Sequence, residues 1–201
     1  MTVAALYVDP NGVYANLPGV DVWDEARDAR LYDGPWPVVA HPPCATWCRL
    51  APWIEAIGGR RRGDDGGCFA AALGAVRRFG GVLEHPASSY AWGAFGLPRP
   101  LGGHWIATLS DPGWVCEVSQ AAYGHLASKL TWLYYVGEAP PEPLDTSRPA
   151  ARAKCGHDPK GRRPNLPRLR DADAARTPLA FRDVLLAMAR GVNTPSGMPR
   201  T

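Results

Sequence analysis

Val38-Val39-Ala40-His41-Pro42-Pro43-Cys44 dictates the architecture of this 201-residue chain. Trp36 to Ala40 is apolar and β-branched enough to run as a buried strand. The two prolines that follow remove the donors and the φ freedom a strand needs to continue. A cysteine closes the segment. Open α/β sheets collect ligands and reacting groups just beyond the carboxyl ends of their strands, so Cys44 stands where a nucleophile belongs. A cysteine under a proline turn is also a common small buried hydrophobe, and the surrounding pattern has to separate the two readings.

Downstream the same design recurs. Phe69, Leu73, Val76 and Phe79 repeat at helical spacing on an alanine-rich segment, Gly80-Gly81 stops that helix, and Val82-Leu83-Glu84 follows as a strand ended by His85-Pro86. Strand, helix, strand in this order implies a right-handed crossover and a parallel sheet, with Glu84 and Cys44 on one rim. Upstream, Ala4 to Val8 reads as a strand closed by the turn Asp9-Pro10-Asn11-Gly12, and Val20 to Trp23 as a second strand. The short link between them, rich in Asn, Gly and Pro, leaves no room for a crossover helix or a glycine-rich phosphate turn. Residues 24–30 read as a short charged helix. Asp24, or Asp21, at the end of the second strand suits a ribose hydroxyl pair, and Asp24 suits helix capping equally well.

The remaining elements follow from the same signals. Trp47, Leu50, Trp53, Ile54 and Ile57 have roughly helical spacing, interrupted by Pro52, and residues 58–67 form an Arg- and Gly-rich loop. Ser88 to Phe95 reads as a short helix. Trp105 to Leu109 and Trp114 to Val118 read as a hairpin around Ser110-Asp111-Pro112-Gly113, and Leu130 to Val136 as an aromatic-rich strand. Residues 137–175 read as an extended loop, and Pro178 to Arg190 as a closing helix with Thr177 as its N-cap. The expected fold is therefore α/β, a Rossmann-like, mostly parallel sheet in a single domain with a basic C-terminal insertion. Residues 1–137 form the core, 138–175 the basic loop, 176–191 the closing helix and 192–201 a tail.

Composition narrows the class. Length and hydrophobic content suit one self-sufficient core, no apolar run approaches a membrane span, and the N-terminus shows no basic-then-apolar leader, so an intracellular, cytoplasmic protein is expected. Five irregularly placed cysteines do not form a secreted disulfide framework. The net charge of +3 is unevenly spread: residues 147–170 carry eight Arg or Lys against one acid, Asp158. Arg148, Arg152, Lys154, Lys160, Arg162 and Arg163 in that run are expected to meet a polyanion, although a basic run also serves as a solvated loop.

A thiolate and a carboxyl group on neighbouring strand ends suit covalent chemistry on a pyrimidine. The thiolate adds to C6, the acid protonates or hydrogen-bonds N3, and the resulting enamine makes C5 nucleophilic. This requires Cys44 to have a depressed pKa and Glu84 to hold a proton. At these residues the chain resembles the DNA cytosine-5 methyltransferases. Pro43-Cys44 is similar to their catalytic Pro-Cys, and Glu84-His85 to their Glu-Asn. Tyr123-Gly124 with Lys129 is similar to their Tyr/Phe-Gly-x-Pro-Gln-x-Arg-x-Arg, and Arg176-Thr177-Pro178 to their late Arg-x-Thr-Pro. Ala127 stands for the glutamine and Thr131 for the second arginine. Val8-Asp9-Pro10-Asn11-Gly12 occupies the place of their Phe-x-Gly-x-Gly.

The resemblance implies Cys44 as nucleophile, Glu84 as the N3 partner, and Pro43, His85 and Lys129 as substrate contacts. It implies S-adenosylmethionine or another one-carbon donor near Asp9 and Asp24, and DNA or a nucleotide as substrate. The 138–175 loop would be a reduced target-recognition region, with a protein partner able to supply the rest. The pared-down form resembles bacteriophage-encoded proteins acting in the host cytoplasm. Any duplex target must be flipped out. The alternative is a non-catalytic nucleic-acid-binding protein that keeps the fold. His41, Cys44, Cys48, Cys68, Cys155 and His157 lack the paired spacing of a zinc site, so no metal is expected. Among the aromatic residues, Trp47, Tyr90 and Trp92 stand closest behind the two motifs and are expected to line the pocket.

Overall fold

The structure, a computed structural model, describes residues 1–109, 111–139, 141, 143–155 and 165–191. Seven strands form one sheet: β1 Val3–Leu6, β2 Val20–Trp23, β3 Val38–Ala40, β4 Gly81–Pro86, β5 Ile106–Ala107, β6 Trp114–Ser119 and β7 Leu130–Val136, in the order β2-β1-β3-β4-β7-β6-β5. The helices are α1 Ala51–Ala56, α2 Cys68–Phe79, α3 Tyr90–Ala94, α4 Asp171–Ala175 and α5 Leu179–Arg190. None is long and apolar enough to cross a membrane among the described residues.

The expected mostly parallel sheet is corrected to a mixed one. β2, β1, β3 and β4 pair in parallel, whereas β4 with β7, β7 with β6, and β6 with β5 pair antiparallel. The physical reason is connection length. β5, β6 and β7 are joined by turns too short to carry a crossover helix, and such strands return antiparallel. β7 slots between β4 and β6 and so reverses direction inside the sheet. β1 has β2 on one side and β3 on the other, so the chain switches direction across the sheet at the carboxyl ends of β1 and β3.

Both faces are covered, and strand alternation divides the core in two. Ala4, Leu6, Val38, Ala40, Leu83, Trp132 and Tyr134 face α2 and α3. Val3, Ala5, Val39, Val82, Leu133 and Tyr135 face α5, whose Phe181, Leu185 and Met188 complete that layer. Gly81 has φ +109°, and a Cβ there would lie 2.0 Å from the Val38 carbonyl oxygen, so only glycine lets β4 enter beside β3.

Several boundaries differ from expectation. Asp28 caps a single 3-10 turn, Ala29–Leu31, in place of a charged helix over 24–30. Pro178, not Thr177, is the N-cap residue of α5. The 137–175 segment is not all loop, since it ends in α4. It is also tied down: Arg152 and Ala153 donate to the Leu126 carbonyl, and Lys154 donates to the Pro167 carbonyl.

Candidate active site

Parallel register and alternation decide what meets at the rim. The last paired residues of β3 and β4 are Ala40 and Leu83, both on the α2 face. The next residues, His41 and Glu84, therefore turn to the opposite face together, and His85 turns back toward α2. His41 Nδ1 lies 3.0 Å from Glu84 Oε2, and Tyr14 Oη lies 2.8 Å from His41 Nε2. On the other carboxylate oxygen, Gln120 Nε2 donates to Glu84 Oε1 at 3.1 Å and to Thr131 Oγ1 at 3.0 Å. Both His41 and Glu84 side chains are largely buried, 14% and 12% exposed.

The charges of the site are linked. Burial by itself raises the Glu84 carboxyl. The hydrogen bond and charge of His41, then Lys129 and His85, reverse this and hold it well below the usual carboxylate range. Glu84 is thus a carboxylate, not the proton-holding acid expected of it. Burial pushes the Cys44 thiol up, Cys48 and Glu84 add to the rise, and the Lys129 ammonium opposes them. The depressed thiol that the sequence argument requires is not the state of the free protein. Cys44, Glu84 and Lys129 lie within electrostatic reach of one another. Burial lowers the Lys129 ammonium, which donates to the carbonyls of Ala175 at 2.9 Å and Arg176 at 3.2 Å. One side chain thereby ties the motif after β6 to the segment leading into α5.

Other expected contacts lie elsewhere. His85, expected to face substrate, is 0% exposed and packs against Phe69 and Trp92, with ring centroids 5.1 and 6.3 Å away. Its position one residue past Glu84 sends it into the α2 layer. Trp47 and Trp92 are likewise buried core, whereas Tyr90 is exposed. Pro43 is exposed on the turn. In the basic segment, Arg148 is ion-paired with Glu117 at 2.5 Å, Arg152 is exposed, and the Lys154 backbone pairs with that of Arg168 in an isolated parallel β-bridge. Lys160, Arg162 and Arg163 lie outside the described residues, as do His157 and the 192–201 tail.

A cavity of about 740 Å³ opens beyond the carboxyl ends of β1, β2 and β3. Tyr7, Asp24, Arg30, Pro43, Thr46 and Asp65 are among its walls. It sits where the strand order reverses, the usual place for a ligand in a sheet of this kind. Pro43 and Ala45 both line it, so the Cys44 turn is one of its walls. Thr46 is 4% exposed, and its buried hydroxyl has no hydrogen-bond partner, an arrangement a polar ligand would relieve. Tyr7 holds the left-handed φ of +60° at the end of β1. Asp24 lines the cavity while one of its oxygens accepts from Arg27 N at 2.9 Å. Asp9 faces a neighbouring depression instead, and its carboxylate accepts from Asn11 N at 2.8 Å, closing its own turn.

Sequence reasoning missed Tyr14, Gln120 and Thr131, and weighed His41 only as a metal ligand. One signal was available: His41 and Glu84 hold equivalent positions after their strands, so parallel pairing puts them side by side. Nothing in the chain announces Tyr14 or Gln120, which arrive from a loop and from the 3-10 turn Gln120–Tyr123. No protein-family model, curated protein or solved structure matches the chain.

Proposed function

We propose that the chain is a Rossmann-like, cytosine-5 methyltransferase-like enzyme that modifies C5 of a pyrimidine in DNA or in a nucleotide. The observation that carries this reading is the approach of Cys44, in the turn after β3, to Glu84 on the parallel neighbour β4 and to Lys129 just ahead of the antiparallel β7, with His41 hydrogen-bonded behind the carboxylate. The bound base places C6 against Cys44, and the Lys129 ammonium favours the thiolate over the thiol. Addition forms the S–C6 bond and moves the C5=C6 electron pair toward C5. Glu84 faces N3, and the proton needed there reaches it from His41 through the 3.0 Å hydrogen bond. Once C5 has gained its substituent, water takes the C5 proton, the thiolate is expelled as the C5=C6 bond reforms, and the N3 proton returns through Glu84 to His41.

The cavity beside the turn fits an adenosine-sized group in volume, in the acid Asp24 at the end of β2, and in the unpartnered Thr46 hydroxyl. S-adenosylmethionine or another one-carbon donor held there supplies the carbon that C5 receives. The test is incubation of the protein with 5-fluorocytosine-containing DNA and the donor, followed by denaturing electrophoresis, beside nucleoside mass spectrometry of cells expressing the protein. A covalent adduct absent from Cys44→Ala and Glu84→Gln is expected, and an adduct that survives Cys44→Ala removes the mechanism. The upward-shifted thiol favours a second reading, a nucleic-acid-binding protein without catalysis. That reading predicts DNA binding with no adduct and no new nucleoside.

A further inference from the structure

Beside the Cys44 turn, the rim carries a group of arginines that form no ion pair among the described residues. Eight arginines elsewhere in the described residues are ion-paired, among them Arg77 with Asp111 and Arg148 with Glu117. Arg49, Arg60, Arg61 and Arg62 are exposed and have no ion pair among the described residues. The other arginines without an ion pair among the described residues, at 99, 152, 176 and 190, are scattered along the chain.

The same segment exposes large apolar side chains. Leu50, Trp53 and Ile57, at i, i+3 and i+7, fall on one side of α1, and Trp53 is 62% exposed. The loop after α1 folds back over the turn: Gly59 N donates to the Ile54 carbonyl at 2.8 Å, and Gly63 N to the Thr46 carbonyl at 3.0 Å. Tyr90 N donates to the Trp47 carbonyl at 2.9 Å, and Tyr90 is 41% exposed. The Arg62 guanidinium lies 5.2 Å from the Tyr90 ring centroid. Three acids, Glu55, Asp64 and Asp65, share the segment and leave a formal excess of one positive charge, but none of them forms an ion pair with these arginines among the described residues. Glu55 stands two positions from Trp53 and is turned away from the stripe. Asp65 accepts from Trp47 Nε1 and Phe69 N, leaving exposed Asp64.

We propose that this face binds a single-stranded stretch of nucleic acid, its phosphates on Arg49 and Arg60 to Arg62 and its bases stacked on Trp53 and Tyr90, next to the nucleotide at Cys44. Four exposed guanidiniums that form no ion pair are free to take phosphates, and the exposed rings of Trp53 and Tyr90 in the same region offer sequence-independent stacking platforms. A second copy of the chain would bring the same four positive charges and is disfavoured. The last clause of the proposal rests on the C5-modification reading. The surface does not.

Binding is measured on full-length Cys44→Ala protein, which separates affinity from chemistry, by fluorescence anisotropy with a labelled single-stranded oligonucleotide and a duplex of equal length. The triple variant Arg60→Ser/Arg61→Ser/Arg62→Ser, all exposed positions, should lose at least about tenfold in affinity for the single strand, with a log–log salt slope shallower by roughly 2. Trp53→Ala should lose about fivefold or more, while Arg190→Ser binds as the parent. Unchanged affinity in the triple variant, a loss confined to Arg152→Ser, or self-association by sedimentation that only Trp53→Ala removes would each overturn the assignment. The two proposals fail separately. Adduct formation with unchanged binding in the triple variant sinks this one alone, and arginine-dependent binding with no adduct sinks the chemistry alone.

Discussion

His41 Nδ1 and Glu84 Oε2 are 3.0 Å apart, and each belongs to the residue directly after the last register pair of β3 with β4. Glu84 is thereby kept ionised, with His41 hydrogen-bonded to one oxygen and Gln120 fixing the other. The site is organised around a carboxylate and its histidine, with the thiol as their neighbour.

Removing one member of a buried hydrogen-bonded pair strands the other. His41→Leu should destabilise the protein by about 3 kcal/mol or more in urea unfolding, whereas His41→Leu/Glu84→Leu recovers much of that loss. Glu84→Gln, which keeps hydrogen-bonding atoms toward both His41 and Gln120, should cost less, about 1 kcal/mol. Equal losses for His41→Leu and Glu84→Gln would show that the pair is not the stabilising unit.

His85 gives the protein an acid-sensitive core. Burial drives its pKa down to about 4, with Glu84, the Pro43 carbonyl and Asp65 opposing. The unfolded chain binds this proton below about pH 6.5 and the folded protein only below about 4, so stability is complete above 6.5 and falls with pH between the two. The loss amounts to something on the order of 3 kcal/mol. Glu84, with its lowered value, withdraws stability only below the ordinary carboxyl pKa, so between pH 6.5 and 4.5 the loss comes from His85 together with His125, whose value burial also lowers. Unfolding midpoints of the parent should drop over that window, and those of His85→Phe should drop less, keeping only the part that His125 contributes. A parallel drop in both proteins would assign the effect elsewhere.

Cys44 should react sluggishly in the free protein. Its raised pKa lowers the thiolate fraction, so alkylation by iodoacetamide, followed by peptide mapping, should run slower than that of glutathione at pH 7.5. Lys129→Met removes the one positive charge that favours the thiolate and should slow the reaction further, by roughly threefold or more. If Lys129→Met leaves the rate untouched, the ammonium is not coupled to the thiol.

Gly81→Ala tests the packing that sets the register. The added Cβ would meet the Val38 backbone at a φ only glycine adopts readily, so β4 must move away from β3. We expect a loss of more than about 3 kcal/mol, visible as a lower unfolding midpoint. Gly74→Ala, where a Cβ meets nothing, should be neutral or stabilising. Similar behaviour of the two variants would refute the close approach.

Much of the rim was legible before any coordinates. The proline stop after Ala40, the period-two strands and the helix at Phe69 to Phe79 are local signals, each written within one element's length, whereas β4 runs on past Glu84 through His85 and Pro86, held by its pairing with β7. The fold over residues 36–86 follows from them. The mixed character of the sheet was not legible, because turn lengths around β5, β6 and β7 indicate a hairpin return without saying that β7 inserts beside β4. Parity in β4 also separates Glu84 from His85, and the motif reading overlooked it by treating Glu84-His85 as a unit. The exposed side of α1 was hidden for a related reason: Leu50, Trp53 and Ile57 have the spacing of a core stripe, and spacing alone does not say which side of a helix meets solvent.

The sequence by itself determined where β2, β3, β7 and the long helices stop and that Cys44 follows a strand end, because proline, glycine and hydrophobic period act over a few residues. The tertiary structure decided that His41 from β3, Glu84 from β4, Gln120 after β6 and Lys129 before β7 share one place. Those contacts depend on which strands lie side by side and in what register. Register is settled by the burial of two whole sheet faces at once, a sum over distant residues that no single segment carries.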